Sequence, residues 1–122
     1  EFNIIAGEGG QYSFKNNVHY LGYQNEMSDI YSNSNVLIRM VEHDGFSLCV
    51  QEALAHGRHV IYSYKSDYCN FASKYSEVKG HIESLISNPS INMEGHNFIK
   101  REFNPQKISK TVEYFYNQIL CS

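Results

Sequence analysis

The chain has 122 residues, with 10 Lys and Arg against 13 Asp and Glu, for a net charge of −3. That length fits one domain able to bury a sizeable core, and the 42% apolar content is ordinary for a globular protein. The charge balance leaves no basic stripe of the kind that nucleic-acid binding needs.

In chain order, Phe2 to Ala6 reads as a short strand that ends at the turn Gly7-Glu8-Gly9-Gly10. A polar loop follows, and Val18 to Tyr23 reads as a second strand closed by Gly22. Asn25 to Ser32 fits a short helix, because Met27, Ile30 and Tyr31 recur at helical spacing. Val36 to Val41 is nearly continuous in apolar residues, as in a strand covered on both faces, with Arg39 the exception. A helix is expected from Ser47 to a left-handed stop at Gly57, then a strand from His59 to Tyr64. Asn70 to Ala72 can add a short edge strand. Glu77 to Ser87 and Ile91 to Arg101 read as helices, the first with Val78, Ile82, Leu85 and Ile86 in phase. The last helix has Asn104 as its cap, Pro105 at its first position, and one apolar face of Ile108, Val112, Phe115, Ile119 and Leu120. Strands alternating with helices predict an α/β fold built on a parallel sheet with helices on both faces. The chain has no opening Met and starts in what reads as the middle of a fold. It is therefore expected to be a fragment of a longer polypeptide, with Glu1-Phe2 as candidate cloning residues.

Several chemistries lack support. Gly7-Glu8-Gly9-Gly10 follows a strand, but a dinucleotide fingerprint needs a third Gly where Tyr12 stands. His56 and His59 have metal-like spacing, yet Gly57 ends the helix between them, and no Cys or carboxylate set completes a zinc site. No Gly-x-Ser-x-Gly occurs. Cys49, Cys69 and Cys121 are odd in number and widely spaced, which argues against a disulfide framework and fits a reducing cytoplasm.

The stretch that carries chemistry runs from Asp44 to Gly57. Gly45 permits a sharp turn and close approach of a ligand. The free amides of Phe46, Ser47 and Leu48, at a helix start after a strand, suit a phosphate or diphosphate. Glu52, a turn or so further in, can accept two hydrogen bonds from a vicinal diol such as a ribose. Asp44 can hold a hydroxylated group on the other side of the phosphates. The simpler reading is that Asp44 or Ser47 only caps the helix and that Glu52 is a solvated helix residue.

This stretch resembles the donor-binding signature of retaining GT-B glycosyltransferases of family 4, the glycosyl transferases of group 1. The likeness lies in Asp44-Gly45-Phe46-Ser47-Leu48 and Glu52-Ala53-Leu54-Ala55-His56-Gly57, followed by Val60-Ile61. Upstream, Ile4 to Gly10, Val18 to Tyr23 and Tyr31 to Val41 are similar to the preceding blocks of that family, so the resemblance covers about residues 3 to 64. Two departures stand out: Asp44 where the family has Glu, and Ser47 where it has Gly. The resemblance implies a Rossmann-like three-layer domain with a parallel sheet, the C-terminal half of a GT-B fold, with its first βα unit missing. It implies one nucleotide-sugar-binding domain from a two-domain enzyme, whose acceptor-binding N-terminal domain is a separate partner. The implied activity is hexosyl transfer with retention from a nucleoside-diphosphate sugar to an acceptor hydroxyl, in polysaccharide biosynthesis. No metal or other cofactor is implied. The enzyme would be cytoplasmic, with peripheral association at the inner face of the membrane.

Carried over by position, Asp44 is the catalytic residue, contacting donor-sugar hydroxyls near the reacting carbon. Gly45, Phe46, Ser47 and Leu48 hold diphosphate and sugar, and Glu52 holds the ribose. Gly22 and Tyr23 fall at the base-binding loop. Arg39 is an extra cation for the phosphates or the partner in a structural salt bridge. The Arg and Lys that stabilise the leaving group in this family belong to an earlier segment, so the fragment alone is expected to be inactive. The alternatives are a non-catalytic nucleotide-sugar binding module and a GT-B sugar-nucleotide epimerase.

Overall fold

The structure is a computed structural model that describes residues 1–5, 13, 15–45 and 47–120. The expected Gly7 to Gly10 turn, the assigned Phe46 and the third cysteine, Cys121, lie outside the described residues. The chain forms two compact units, 1–30 and 31–122.

In the first unit, β1 (Phe2–Ile4) pairs in parallel with β2 (Val18–Tyr20), Phe2 opposite Val18 and Ile4 opposite Tyr20. The Leu21 amide donates to the Ile4 carbonyl at 2.9 Å and continues the ladder by one bond. Gly22 then takes a left-handed φ of +67°, which explains a glycine at the end of this strand. A short helix, α1 (Ser28–Ser32), whose Tyr31 and Ser32 belong to the second unit, is entered through the Glu26 carboxylate, which accepts from the Ser28 amide at 3.0 Å. It is shorter at its start than the helix expected from residue 25.

The second unit holds the core. β3 (Val36–Arg39), β4 (His59–Tyr62) and β5 (Asn70–Phe71) form a parallel sheet in that order. The register sets Val36 against His59 and Arg39 against Tyr62. β4 is the middle strand, and its Val60, Ile61 and Tyr62 are buried, as a strand covered on both faces should be. The described strands thus make two short parallel sheets, one in each unit, where a single sheet was expected.

The crossover from β3 to β4 runs through α2 (Leu48–Ala55), which packs on both strands. Val50, Ala53 and Leu54 recur at helical spacing and are all buried. Gly57 ends the helix at a φ of +69°, the expected left-handed stop, and a Cβ there would lie 2.8 Å from Ile91 Cγ2.

α3 (Tyr75–Ser87) starts two residues earlier than the apolar spacing indicated. Glu77 reaches back to accept from the Ser73 amide at 2.7 Å and from its hydroxyl at 3.1 Å, an anchor that substitutes for a capping side chain at Lys74. These bonds hold the Glu77 carboxyl below its ordinary pKa. α4 (Met93–Glu102) is capped by Asn92, whose Oδ1 accepts from the Gly95 amide at 3.0 Å. Asn92 also donates from Nδ2 to the Tyr68 carbonyl at 2.9 Å and from its amide to the Gly57 carbonyl at 2.9 Å. One residue therefore ties α4 to the end of α2 and to the loop before β5, where Tyr68 sits at a left-handed φ of +64°. Gly95 lets α4 approach α2 closely: a Cβ there would meet Leu54 Cδ2 at 2.7 Å. α5 (Pro105–Leu120) begins as expected, with Asn104 Oδ1 accepting from the Gln106 amide at 2.9 Å.

Candidate functional site

The motif loop leaves the carboxyl end of β3 and enters α2, so it lies where a parallel sheet presents its ligand-binding edge. Arg39 and Tyr62 are register partners on adjacent strands and form the last pair of the ladder between β3 and β4. Both side chains converge on Asp44. Arg39 Nε donates to Asp44 Oδ2 at 2.7 Å, and the Tyr62 hydroxyl donates to the same oxygen at 3.0 Å. The Arg39 side chain is 34% exposed and that of Asp44 10%. The Arg39 guanidinium, then the Tyr62 hydroxyl, hold the Asp44 carboxyl below the usual carboxylate range against the opposing effect of burial. Burial and the bond to Asp44 push the Tyr62 phenol up to about 12.

The loop between Asp44 and β3 is pinned to the strand beside it. The Val41 amide donates to Ser63 Oγ at 3.0 Å, Ser63 Oγ donates to the Val41 carbonyl at 2.7 Å, and the Tyr64 hydroxyl donates to the Glu42 carbonyl at 2.6 Å. Residues just past β4 thus fix where Asp44 sits.

Ser47 occupies the N-cap position of α2 in an extended conformation, but its side chain makes no cap bond. It is buried, and its Oγ lies 3.2 Å from Cys49 Sγ. Ser47 therefore holds the N-cap position of the simpler reading without its side-chain bond. Among the described residues, the first-turn amides of α2, which a helix cannot satisfy internally, receive no side-chain cap from Ser47, and no acidic residue stands in that first turn. Gly45 is exposed and takes no left-handed φ, and a Cβ there would meet nothing within 4 Å. Neither backbone conformation nor packing within the described residues requires a glycine there. Gly45 borders a cleft of about 310 Å³, lined also by Ser47, Gln51, Tyr62, Lys65 and Phe98 among others. An adjoining hollow of about 580 Å³ is bordered by Lys65, Ser66, Asp67 and Phe71. Among the described residues, Gln51 Oε1 is buried without a hydrogen-bond partner.

Glu52 lies on the exposed side of α2. Its Oε2 accepts from the Tyr31 hydroxyl at 3.0 Å. Tyr31 is a core residue, 3% exposed, at the end of α1. Burial first, and the neighbouring Glu52 carboxylate second, raise its phenol well above the ordinary value.

The structure therefore brings Asp44, Gly45 and Ser47 together at the start of α2, with Glu52 one turn further in. Leu48 is 68% exposed. Arg39 makes the salt bridge with Asp44. Gly22 and Tyr23 belong to the first unit, where Tyr23 is 75% exposed. The sequence assigns neither Tyr62 nor Tyr31 a role in the site: both occupy apolar positions of their elements, and in a chain with ten tyrosines nothing local marks these two as site residues. The pairing of Tyr62 with Arg39 across the sheet is the signal that finds the first. Among the described residues, no group of three or more His, Cys, Asp and Glu side chains could hold a metal ion, and Cys49 and Cys69 are free thiols. No helix among them is long and apolar enough to cross a membrane.

These features define a mixed α/β protein with short parallel sheets and an uncapped helix start bracketed by two tyrosine-bound acids. No protein-family model matches the chain, and no curated protein or solved structure matches it.

Proposed function

We propose that the chain is the donor-binding part of a retaining glycosyltransferase with a Rossmann-like, GT-B type architecture, and that it takes a nucleoside-diphosphate sugar. The observation that carries this reading is the uncapped start of α2 at the carboxyl edge of β3, with Asp44 before it and Glu52 one turn inside it. A diphosphate fits the first-turn amides, since their partial positive charge of about half a unit is unopposed by an acid in that turn. A glycine that packing does not require, beside an open cleft, fits the close approach of a ligand. The order of the motif blocks supplies the rest: Glu52 takes the ribose hydroxyls and Asp44 the hydroxyls of the donor sugar.

Asp44 is an ionised, charge-compensated acceptor in this reading, not a proton donor, because Arg39 keeps its carboxyl ionised. Its Oδ2 accepts from Arg39 and Tyr62, and the Ser47 side chain also favours the ionised form. Arg39 directs its Nε at Asp44, so stabilisation of a leaving diphosphate falls to cations on another segment. In this reading the chain is a binding half that needs its acceptor-binding partner for turnover, and the resemblance adds metal-independent chemistry in the cytoplasm or at the inner face of the membrane. A non-catalytic nucleotide-sugar module shares the same site and differs only in lacking those cations. An epimerase would turn over a nucleotide-sugar without an acceptor.

Isothermal titration with UDP and GDP tests the reading. Weak binding of one of them, reduced by Glu52→Ala, is expected. If neither binds and Glu52→Ala is indistinguishable from wild type, the assignment fails.

A further inference from the structure

Glu52 stands on an exposed helix surface, where a free glutamate samples several rotamers. Ordering such a side chain at the moment of binding costs conformational entropy. Here one oxygen is held before any ligand arrives. The Tyr31 ring is buried and packs against His56 with centroids 5.3 Å apart and planes at 35°. His56 is itself anchored, its Nδ1 donating to the Glu52 backbone carbonyl at 2.8 Å. The Tyr31 hydroxyl thus sits on a fixed ring and donates to Glu52 Oε2 at 3.0 Å. A carboxylate has about four acceptor sites, so one bond from tyrosine leaves room for two hydroxyl donors.

We propose that Tyr31 is a positioning residue for nucleotide recognition: its hydroxyl holds the Glu52 carboxylate in the orientation that accepts a ribose diol. It touches no substrate and acts only through Glu52. This inference rests on the donor-binding reading above and adds to it the residue that sets the selectivity for a ribonucleotide over its deoxy counterpart.

The test compares UDP and GDP with their 2′-deoxy counterparts, titrated against wild type, Tyr31→Phe, Glu52→Ala and the double variant. Phenylalanine keeps the ring and its contact with His56, and the freed carboxylate oxygen is exposed to water, so the variant is expected to fold; thermal unfolding checks this. In wild type the ribonucleotide binds more tightly than the deoxynucleotide. In Tyr31→Phe the ribonucleotide dissociation constant rises about three- to tenfold, the range set by one hydrogen bond. The deoxynucleotide constant moves less than about twofold, so the selectivity shrinks. In the Glu52→Ala background, Tyr31→Phe has no further effect on the ratio.

An equal loss for both nucleotides in Tyr31→Phe marks a purely structural tyrosine and overturns this inference while leaving the donor-binding reading intact. Unchanged selectivity does the same. Wild type that binds neither nucleotide, or binds with Glu52→Ala unaffected, overturns the donor-binding reading and this inference with it.

Discussion

α2 and α5 are opposites. α2 is eight residues long and α5 sixteen, and α5 has the cleaner apolar stripe in the sequence. Yet α2 buries Val50, Ala53 and Leu54 almost completely, while Ile108, Val112 and Phe115 of α5 are 46%, 46% and 60% exposed. The short helix is held by a sheet on one side and by α4 on the other, close enough that Gly95 must be a glycine beside Leu54. The long helix is held at its start by Asn104 and buries no residue of its own. Amphipathic patterning therefore reports that a segment will be helical, and tertiary contact alone reports whether the pattern stabilises the fold.

The comparison is easiest to break at Leu54. Leu54→Ala should lower the unfolding free energy by about 2–5 kcal/mol in a denaturant titration, because it opens a cavity between α2 and α4. A loss below about 1 kcal/mol would mean that α2 is not the centre of the core.

A smaller effect is expected at the carboxyl edge of the sheet, and it depends on pH. The Tyr62 phenol is raised from 10.0 to about 12, so the folded state retains a proton that the unfolded chain has lost. Its contribution is complete below pH 10 and fades as pH rises towards 12. Asp44 is shifted the other way: its contribution is present above the ordinary carboxylate pKa and is lost as pH falls through its lowered value. Tyr62→Phe should flatten the alkaline limb of stability against pH, and Asp44→Asn the acid limb. If both limbs keep their wild-type slopes, the triad of Arg39, Asp44 and Tyr62 does not titrate as one unit.

The smallest effect belongs to α5. Val112→Ser should change the unfolding free energy by no more than about 0.5 kcal/mol, the range for surface positions. A loss near that of Leu54→Ala would place α5 in the core and end the contrast.

Much of the fold was legible because its signals are local. The start of α5 was visible in Asn104-Pro105, since a side-chain acceptor followed by a residue lacking an amide hydrogen satisfies a helix start by itself. Gly57 marked the end of α2 because few other residues tolerate its φ. The spacing of Val36 to Arg39 and His59 to Tyr62 around a helix indicated parallel strands, and these pair in parallel. The division into two short sheets was not legible, because strand pairing depends on contacts between segments far apart in the chain.

For the site, the sequence by itself determined the position of the two acids: Asp44 in the turn after a strand and Glu52 one turn into the helix that follows. Local propensity and a short motif suffice for that. Only the tertiary structure decided what each acid is bonded to. Arg39 and Tyr62 meet at Asp44 because the sheet register sets them side by side, and the Tyr31 hydroxyl reaches Glu52 across 21 residues of chain. Hydrogen bonds of that kind depend on distances of about 3 Å between residues distant in sequence, and no periodicity or spacing along one chain encodes them.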